Sequence, residues 1–224
     1  MARTKSRFVC QECGYVASSW LGRCPECGGW NTLVEEAEVT AKASKSYLPT
    51  NNEKLRPRTI ASVAQTKVER LATGIREFDR VLGGGVVPGS LVLLGGTPGI
   101  GKSTILLDAG LRFGQQGIKV LYVSGEESEE QTAMRAVRLG GAQSNDNLLI
   151  LTATDLDAIL AQANALKPQL LIIDSIQTMY NPELQTAAGS VGQVRECTAK
   201  LLQFAKSTGI AVLLIGHTNI FAAV

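Results

Sequence analysis

The sequence is short of the features that settle a protein's class at a glance. No apolar run reaches the roughly 18 residues that a membrane-crossing helix needs. The basic start, residues 1–7, is followed by no apolar stretch of the kind a secretory leader carries. The expectation is a soluble, cytoplasmic chain with no membrane partner. Neither sign of charge dominates: 22 basic against 20 acidic residues leave a net charge of +2. Residues 59–224 hold 13 basic and 14 acidic groups, so composition announces no nucleic-acid surface there. Composition does not report local clustering, so a basic stripe stays open. There is no internal repeat and only one histidine, His217. The five cysteines are an odd number, which argues against a simple disulfide framework.

What is present is enough for a core. Apolar residues make up 45% and charged residues 19%, which excludes a wholly disordered chain. The chain divides into three parts. Residues 1–30 hold four clustered cysteines and both tryptophans. Residues 31–58 read as a linker, with scattered apolar residues and no clear period. Residues 59–224 alternate strand-like and helix-like segments.

In that large part, strands are expected at 91–94, 119–124, 148–151, 170–174 and 210–215. Helices are expected at about 102–116, 128–139, 155–166 and 190–206. Asp155 is a good N-cap, and Gly117 and Gly209 are good stops. The strands are apolar throughout rather than alternating, so both sheet faces should be covered. That predicts a mostly parallel sheet in a three-layer α/β fold. The strand order is not readable from the runs alone.

The residues Gly96-Thr97-Pro98-Gly99-Ile100-Gly101-Lys102-Ser103 match G-x-x-x-x-G-K-[ST]. They follow a predicted strand and open a predicted helix, the context a phosphate loop requires. Glycines let backbone N–H groups surround phosphate oxygens at the positive end of a helix. Lys102 supplies charge to the β- and γ-phosphates, and the Ser103 hydroxyl ligates Mg²⁺; Thr104 is its neighbour. The bland alternative is a glycine-rich turn with an incidental lysine. Asp174 closes the run LLIID, where a carboxylate holds Mg²⁺ or merely caps a turn. Glu126 and Glu127 follow the second strand. One of them activates water, or both simply begin a solvated acidic helix. Spacing does not separate the two. His217 is a candidate γ-phosphate sensor, or a polar residue closing a buried strand. Ser175 and Gln177 are lesser candidates for the same contact.

Cys10-x-x-Cys13 and Cys24-x-x-Cys27 form two knuckles ten residues apart. Four thiolates so paired enclose one tetrahedral Zn²⁺; redox dithiols, disulfides and an iron–sulfur site are the alternatives. A 30-residue unit is too small for a core of its own, so metal binding should supply its folding energy. Cys197 lies on a predicted amphipathic helix and reads as a small core residue.

The stretches FVCQECGY, GRCPECGGWNT, EFDRVLGGGVVPGSLVLLGGTPGIGKST, LYVSGEES, DSIQT and GSVGQVRECTAKL resemble the bacterial RadA (Sms) family of RecA-like DNA repair ATPases. The resemblance covers nearly the whole chain up to His217. It implies a RecA-like P-loop core behind a small four-cysteine zinc finger, using ATP, Mg²⁺ and Zn²⁺. It further implies ring homo-oligomers, DNA as partner (single strands or branched recombination intermediates), and branch migration alongside the RecA recombinase. By motif match Lys102, Ser103 and Asp174 take the nucleotide and magnesium roles, and a glutamate after the second core strand activates water. Family members continue past this point into a K-N-R-F-G motif and a domain resembling the Lon protease. This sequence stops at GHTNIFAAV, so the resemblance implies a truncated, frameshifted or fragmentary chain. Two other readings stay open: a zinc-dependent nucleotide-binding fragment without turnover, and a RecA-like ATPase acting on protein partners.

Overall fold

The structure, a computed structural model, describes residues 6–37, 57, 59–64, 68–141, 145–184 and 186–217. Most of the expected linker and the tail from Thr218 lie outside the described residues.

The chain begins with a three-stranded antiparallel sheet of β1 (Ser6–Cys10), β2 (Val16–Ala17) and β3 (Leu33–Ala37), in the order β2-β1-β3. Here the expected boundary at residue 30 needs correction. Residues 33–37 fall in the range read as linker, yet they pair with β1 along its whole length. Leu33 is their one buried side chain among those described, while Val34 is half exposed. A strand with so little burial leaves no alternation to read.

Two short helices follow, α1 (Ile60–Ala64) and α2 (Arg76–Val81). Neither has a counterpart in the sequence reading. In α2 no residue is buried, so no apolar face marks it.

The large sheet has five parallel strands: β4 (Leu91–Gly96), β5 (Val120–Ser124), β6 (Leu148–Thr152), β7 (Leu170–Asp174) and β8 (Ala211–His217). Their order is β4-β8-β7-β5-β6. The connecting helices are α3 (Lys102–Gln115), α4 (Glu129–Arg138), α5 (Leu156–Leu166) and α6 (Val191–Thr208). The expected strands and helices are all found, with ends shifted by a residue or two. One shift matters: β8 runs on through His217, which sits inside the strand's end rather than beyond it.

The all-apolar strands feed two separate cores. Leu121 and Val123 point into one with Leu171 and Ile173, packed against α5 and α6. Val120 and Tyr122 point into the other with Leu170 and Ile172, packed against α3 and α4. Alternate residues of one run thus serve opposite faces, and the three-layer expectation holds. Helix starts are fixed locally. Ser128 and Gln131 form a reciprocal capping box on α4, and Asp155 caps α5 through the N–H groups of Asp157 and Ala158. Each such cap contributes about 1 kcal/mol.

Candidate nucleotide site and metal centre

Parallel strands all end on one edge of a sheet, and ligands of open α/β folds gather there. Register brings four segments together on that edge. Gly96 of β4 pairs with His217 of β8, and Ser124 of β5 pairs with Asp174 of β7. The loop Thr97–Gly101 leaves β4 and delivers Lys102 to the first turn of α3. A cleft of about 270 Å³ opens between them, lined by Lys102, Ser103, Thr104, Glu126, Asp174 and His217 among others. A larger cleft, about 390 Å³, sits at the opposite end of the strands around Pro168, Gly209 and Ile210 and holds none of these groups.

Lys102 is largely buried, and its Nζ donates to the carbonyls of Gly96 and Thr97, both at 2.8 Å. It folds back over its own loop. His217 Nδ1 lies 3.4 Å from that ammonium. The Ser103 hydroxyl donates to Asp174 Oδ1 at 3.0 Å across 71 residues of sequence. Ile100 stands exposed on the outside of the loop, while Pro98, Gly99 and Gly101 line the cleft.

The two adjacent glutamates part company. Glu126 lines the cleft, and its Oε1 accepts from Ser175 Oγ at 3.0 Å. Glu127 turns away to Arg135 of α4, with Oε2 2.8 Å from Nη2. Its backbone is pinned as well: Ser124 Oγ accepts from Glu127 N–H at 2.9 Å and donates to its carbonyl at 2.8 Å.

Two participants had not been picked out from the sequence. Tyr122 is fully buried in β5, and its hydroxyl donates to Asp174 Oδ2 at 2.5 Å. Burial, then the charge of Asp174, push its ionisation far above the ordinary tyrosine range, so it stays a donor. Arg135 donates to the same phenol oxygen at 3.3 Å and stands 3.7 Å from Asp174 Oδ2. A tyrosine inside an otherwise apolar strand was the available signal, because a buried hydroxyl needs a partner. Nothing in the spacing marks Arg135. Gln177, a lesser candidate, is not among the cleft's lining residues, whereas Ser175 is.

The donors suit a hard divalent cation. Ser103 Oγ and Asp174 Oδ1 are oxygen ligands on one wall of a polar cleft, the kind Mg²⁺ takes.

The small sheet carries the second site. Each knuckle closes with the same pair of backbone bonds: Gly14 N–H to Cys10 carbonyl and Cys10 N–H to Tyr15 carbonyl, then Gly28 N–H to Cys24 carbonyl and Cys24 N–H to Gly29 carbonyl. Gly14 and Gly28 take φ values of 78° and 74°, which side chains resist. The four sulfurs lie within 4.8 Å of one another, with Cys10–Cys27 at 3.7 Å and Cys13–Cys24 at 3.5 Å. A tetrahedral Zn–S bond of about 2.3 Å implies S···S separations of about 3.8 Å.

The thiols are electrostatically unequal. Burial would raise Cys10, but hydrogen bonding with Thr32 and the Cys13 and Glu12 backbone brings it down to about 6. Cys13 is raised, by burial first. Cys27 is helped by the Gly29 backbone, but burial and the other three thiols lift it to about 12. One thiolate forms readily and resists the next, the situation a divalent cation relieves. Cys197 is fully buried in the core beside Val194 and Leu201, away from this cluster.

Fold and cleft define a class: a phosphate-loop α/β domain carrying a four-cysteine zinc-ribbon unit. The AAA domain model matches residues 55–220, and the rubredoxin metal binding domain model matches residues 8–35. The chain belongs to the AAA domain family. It is 49% identical over 98% of its length to the DNA repair protein RadA of Halalkalibacterium halodurans. Identity is 47% over 98% to the protein of that name from Bacillus subtilis, and 46% over 97% to that from Listeria monocytogenes. The resemblance seen in the motifs is borne out. The chain covers 47–48% of these proteins, so it spans about half the length of the curated relatives it matches. Among the described residues no helix is long and apolar enough to cross a membrane.

Proposed function

We propose that this chain binds ATP with Mg²⁺ in the 270 Å³ cleft and hydrolyses it in the service of DNA repair. The observation that carries the reading is the convergence of Lys102, Ser103, Asp174 and Glu126 on one cleft at the carboxyl edge of the sheet. Residues 96–104 cradle the phosphates. Lys102 exchanges the carbonyls of Gly96 and Thr97 for phosphate oxygens. Ser103 and Asp174 hold the magnesium ion, which neutralises charge developing on the transferred group. Glu126 is the catalytic base. It orients a water whose oxygen bonds to the γ-phosphorus as the bond to the β–γ bridging oxygen breaks; ADP departs, and the water's proton passes to the carboxylate. His217, beside Lys102, registers whether a γ-phosphate is present. The four cysteines hold Zn²⁺ as a structural ion.

The similarity to RadA proteins supports DNA as partner. The finer reading is action on single-stranded or branched recombination intermediates, in ring homo-oligomers, with branch migration beside the RecA recombinase, in the cytoplasm. The domains follow as a zinc unit, a linker, and an ATPase core from residue 59.

The test is ATP hydrolysis with and without single-stranded DNA at low salt, alongside mass in solution and metal analysis. Turnover raised by DNA, with one zinc per chain, supports the reading. Salt should weaken the DNA effect. Binding of ATP without phosphate release, with or without DNA, favours a nucleotide-binding unit without turnover. The short span relative to the RadA proteins gives that second reading its weight.

A further inference from the structure

Asp174 has two carboxylate oxygens, and the structure gives them different neighbours. Oδ1 receives the Ser103 hydroxyl at 3.0 Å, on the cleft side. Oδ2 receives the Tyr122 hydroxyl at 2.5 Å and faces Arg135 Nη2 at 3.7 Å. A carboxylate on a short side chain turns readily about its last bond, because that rotation is broad and roughly two-fold. One hydroxyl donor on Oδ2, itself receiving Arg135 Nη2 at 3.3 Å, and the guanidinium charge 3.7 Å away hold that oxygen in place.

We propose that Tyr122 and Arg135 are positioning residues that lock the Asp174 carboxylate by its Oδ2, reserving Oδ1 for the magnesium ion. The inference rests on the nucleotide and magnesium reading of the cleft.

Each partner is suited to the task. Tyr122 sits in the middle of β5, next to β7 in the sheet, so its position relative to Asp174 is fixed by strand pairing. Its ring is packed in the core on the α3–α4 side with Leu106 and Phe113, and its hydroxyl has no water to turn to. Arg135 comes from α4 and itself reaches the wall of the cleft. Its guanidinium is held by Glu127 at 2.8 Å, so the cation itself is anchored. Glu127 thereby has a role different from that of Glu126, though it is next in sequence. It fixes the arginine that steadies the metal ligand. Groups that orient a metal ligand through hydrogen bonds and charge typically change metal affinity by about 10- to 100-fold when removed.

The test separates metal affinity from nucleotide affinity. A fluorescent ATP analogue is titrated against the full, zinc-loaded chain in buffer without added Mg²⁺, and then at rising MgCl₂. Tyr122→Phe keeps the ring and removes only the hydroxyl. It should leave binding without Mg²⁺ unchanged and raise the Mg²⁺ concentration for half-maximal enhancement by about tenfold. Arg135→Gln should raise it too, and Arg135→Lys should recover part of the loss. A merely structural role would lower the melting temperature without moving the Mg²⁺ midpoint. Asp174→Asn is the reference for loss of the ligand. If Asp174→Asn moves the midpoint while Tyr122→Phe and Arg135→Gln stay within twofold of the parent, the positioning role is overturned and the cleft reading stands. If Asp174→Asn leaves the midpoint unmoved, the cleft reading falls and the positioning role falls with it.

Discussion

Glu127 Oε2 lies 2.8 Å from Arg135 Nη2, an ion pair that draws this glutamate off the cleft its neighbour Glu126 lines. The two carboxylates should therefore fail differently. Glu126→Gln should cut turnover by about 10²- to 10⁴-fold, the usual worth of a positioned base, with nucleotide binding retained. Glu127→Gln should cost turnover less than about tenfold. Its partly exposed pair is worth about 1 kcal/mol, a melting shift of about 2–4 °C for a chain of this size. Single-turnover hydrolysis and thermal melts on both variants decide it. Equal kinetic losses would overturn the assignment, and a larger loss in Glu127→Gln would reverse it.

Lys102 makes a second prediction. Its ammonium has two carbonyl partners at 2.8 Å, Gly96 at the partly exposed end of β4 and Thr97 in the exposed loop, where water can take its place. Lys102→Ala should leave the melting temperature near its parent value. Charge-assisted hydrogen bonds to phosphate are worth about 1.5–3 kcal/mol, so ATP affinity should fall by about 10- to 100-fold. Titration with a fluorescent nucleotide measures this. An unchanged affinity would mean that phosphates do not sit at the loop.

Much of this was legible in the sequence, for a physical reason. Strands such as 120–124 and 170–174 are buried on both faces, so they read as unbroken apolar runs. Caps such as Ser128, Asp155 and Ser190 act within a few residues of themselves. The paired cysteines are local too. What stayed hidden depends on neighbours far along the chain. His217 meets Lys102 only because β8 lies beside β4, and strand order is not written in the runs. Glu126 differs from Glu127 only because Arg135 reaches back from α4. The edge strand 33–37 and the exposed helix 76–81 bury too little to leave a pattern.

Gly125 separates Ser124 from the two glutamates, and its lack of a side chain is a requirement of space. Its N–H donates to the Asp174 carbonyl at 2.8 Å, which draws the loop against the turn after β7. A Cβ there would come within 2.7 Å of Thr178 Cβ and 2.9 Å of Met179 Cε. Gly125→Ala should lower stability by about 1–3 kcal/mol, as overpacking does. The same push displaces Glu126, so turnover should fall more than ATP affinity. A variant as stable and active as the parent would show that the turn yields without strain.

The cysteine cluster gives a prediction with a sign. Zinc takes thiolates, so every thiol still protonated must release its proton on binding. Cys13 and Cys27 are held above the ordinary thiol range, so near neutral pH both carry protons that the metal must displace. Lowering the pH adds to that competition and weakens binding. With at least two protons displaced, affinity should drop at least about a hundredfold per pH unit around neutrality. Below about 6 Cys10 also takes up its proton, so the fall should steepen there. A chromophoric zinc indicator, titrated against the chain from pH 8 down to about pH 5.5, gives the slope. Stripping the metal with a chelator should melt the three-strand sheet, whose buried side chains beyond the two cysteines Cys10 and Cys24 are few. The five-strand sheet, with its two large cores, should keep its own melting transition. A zinc affinity that is flat with pH would mean that the four sulfurs are not the ligands.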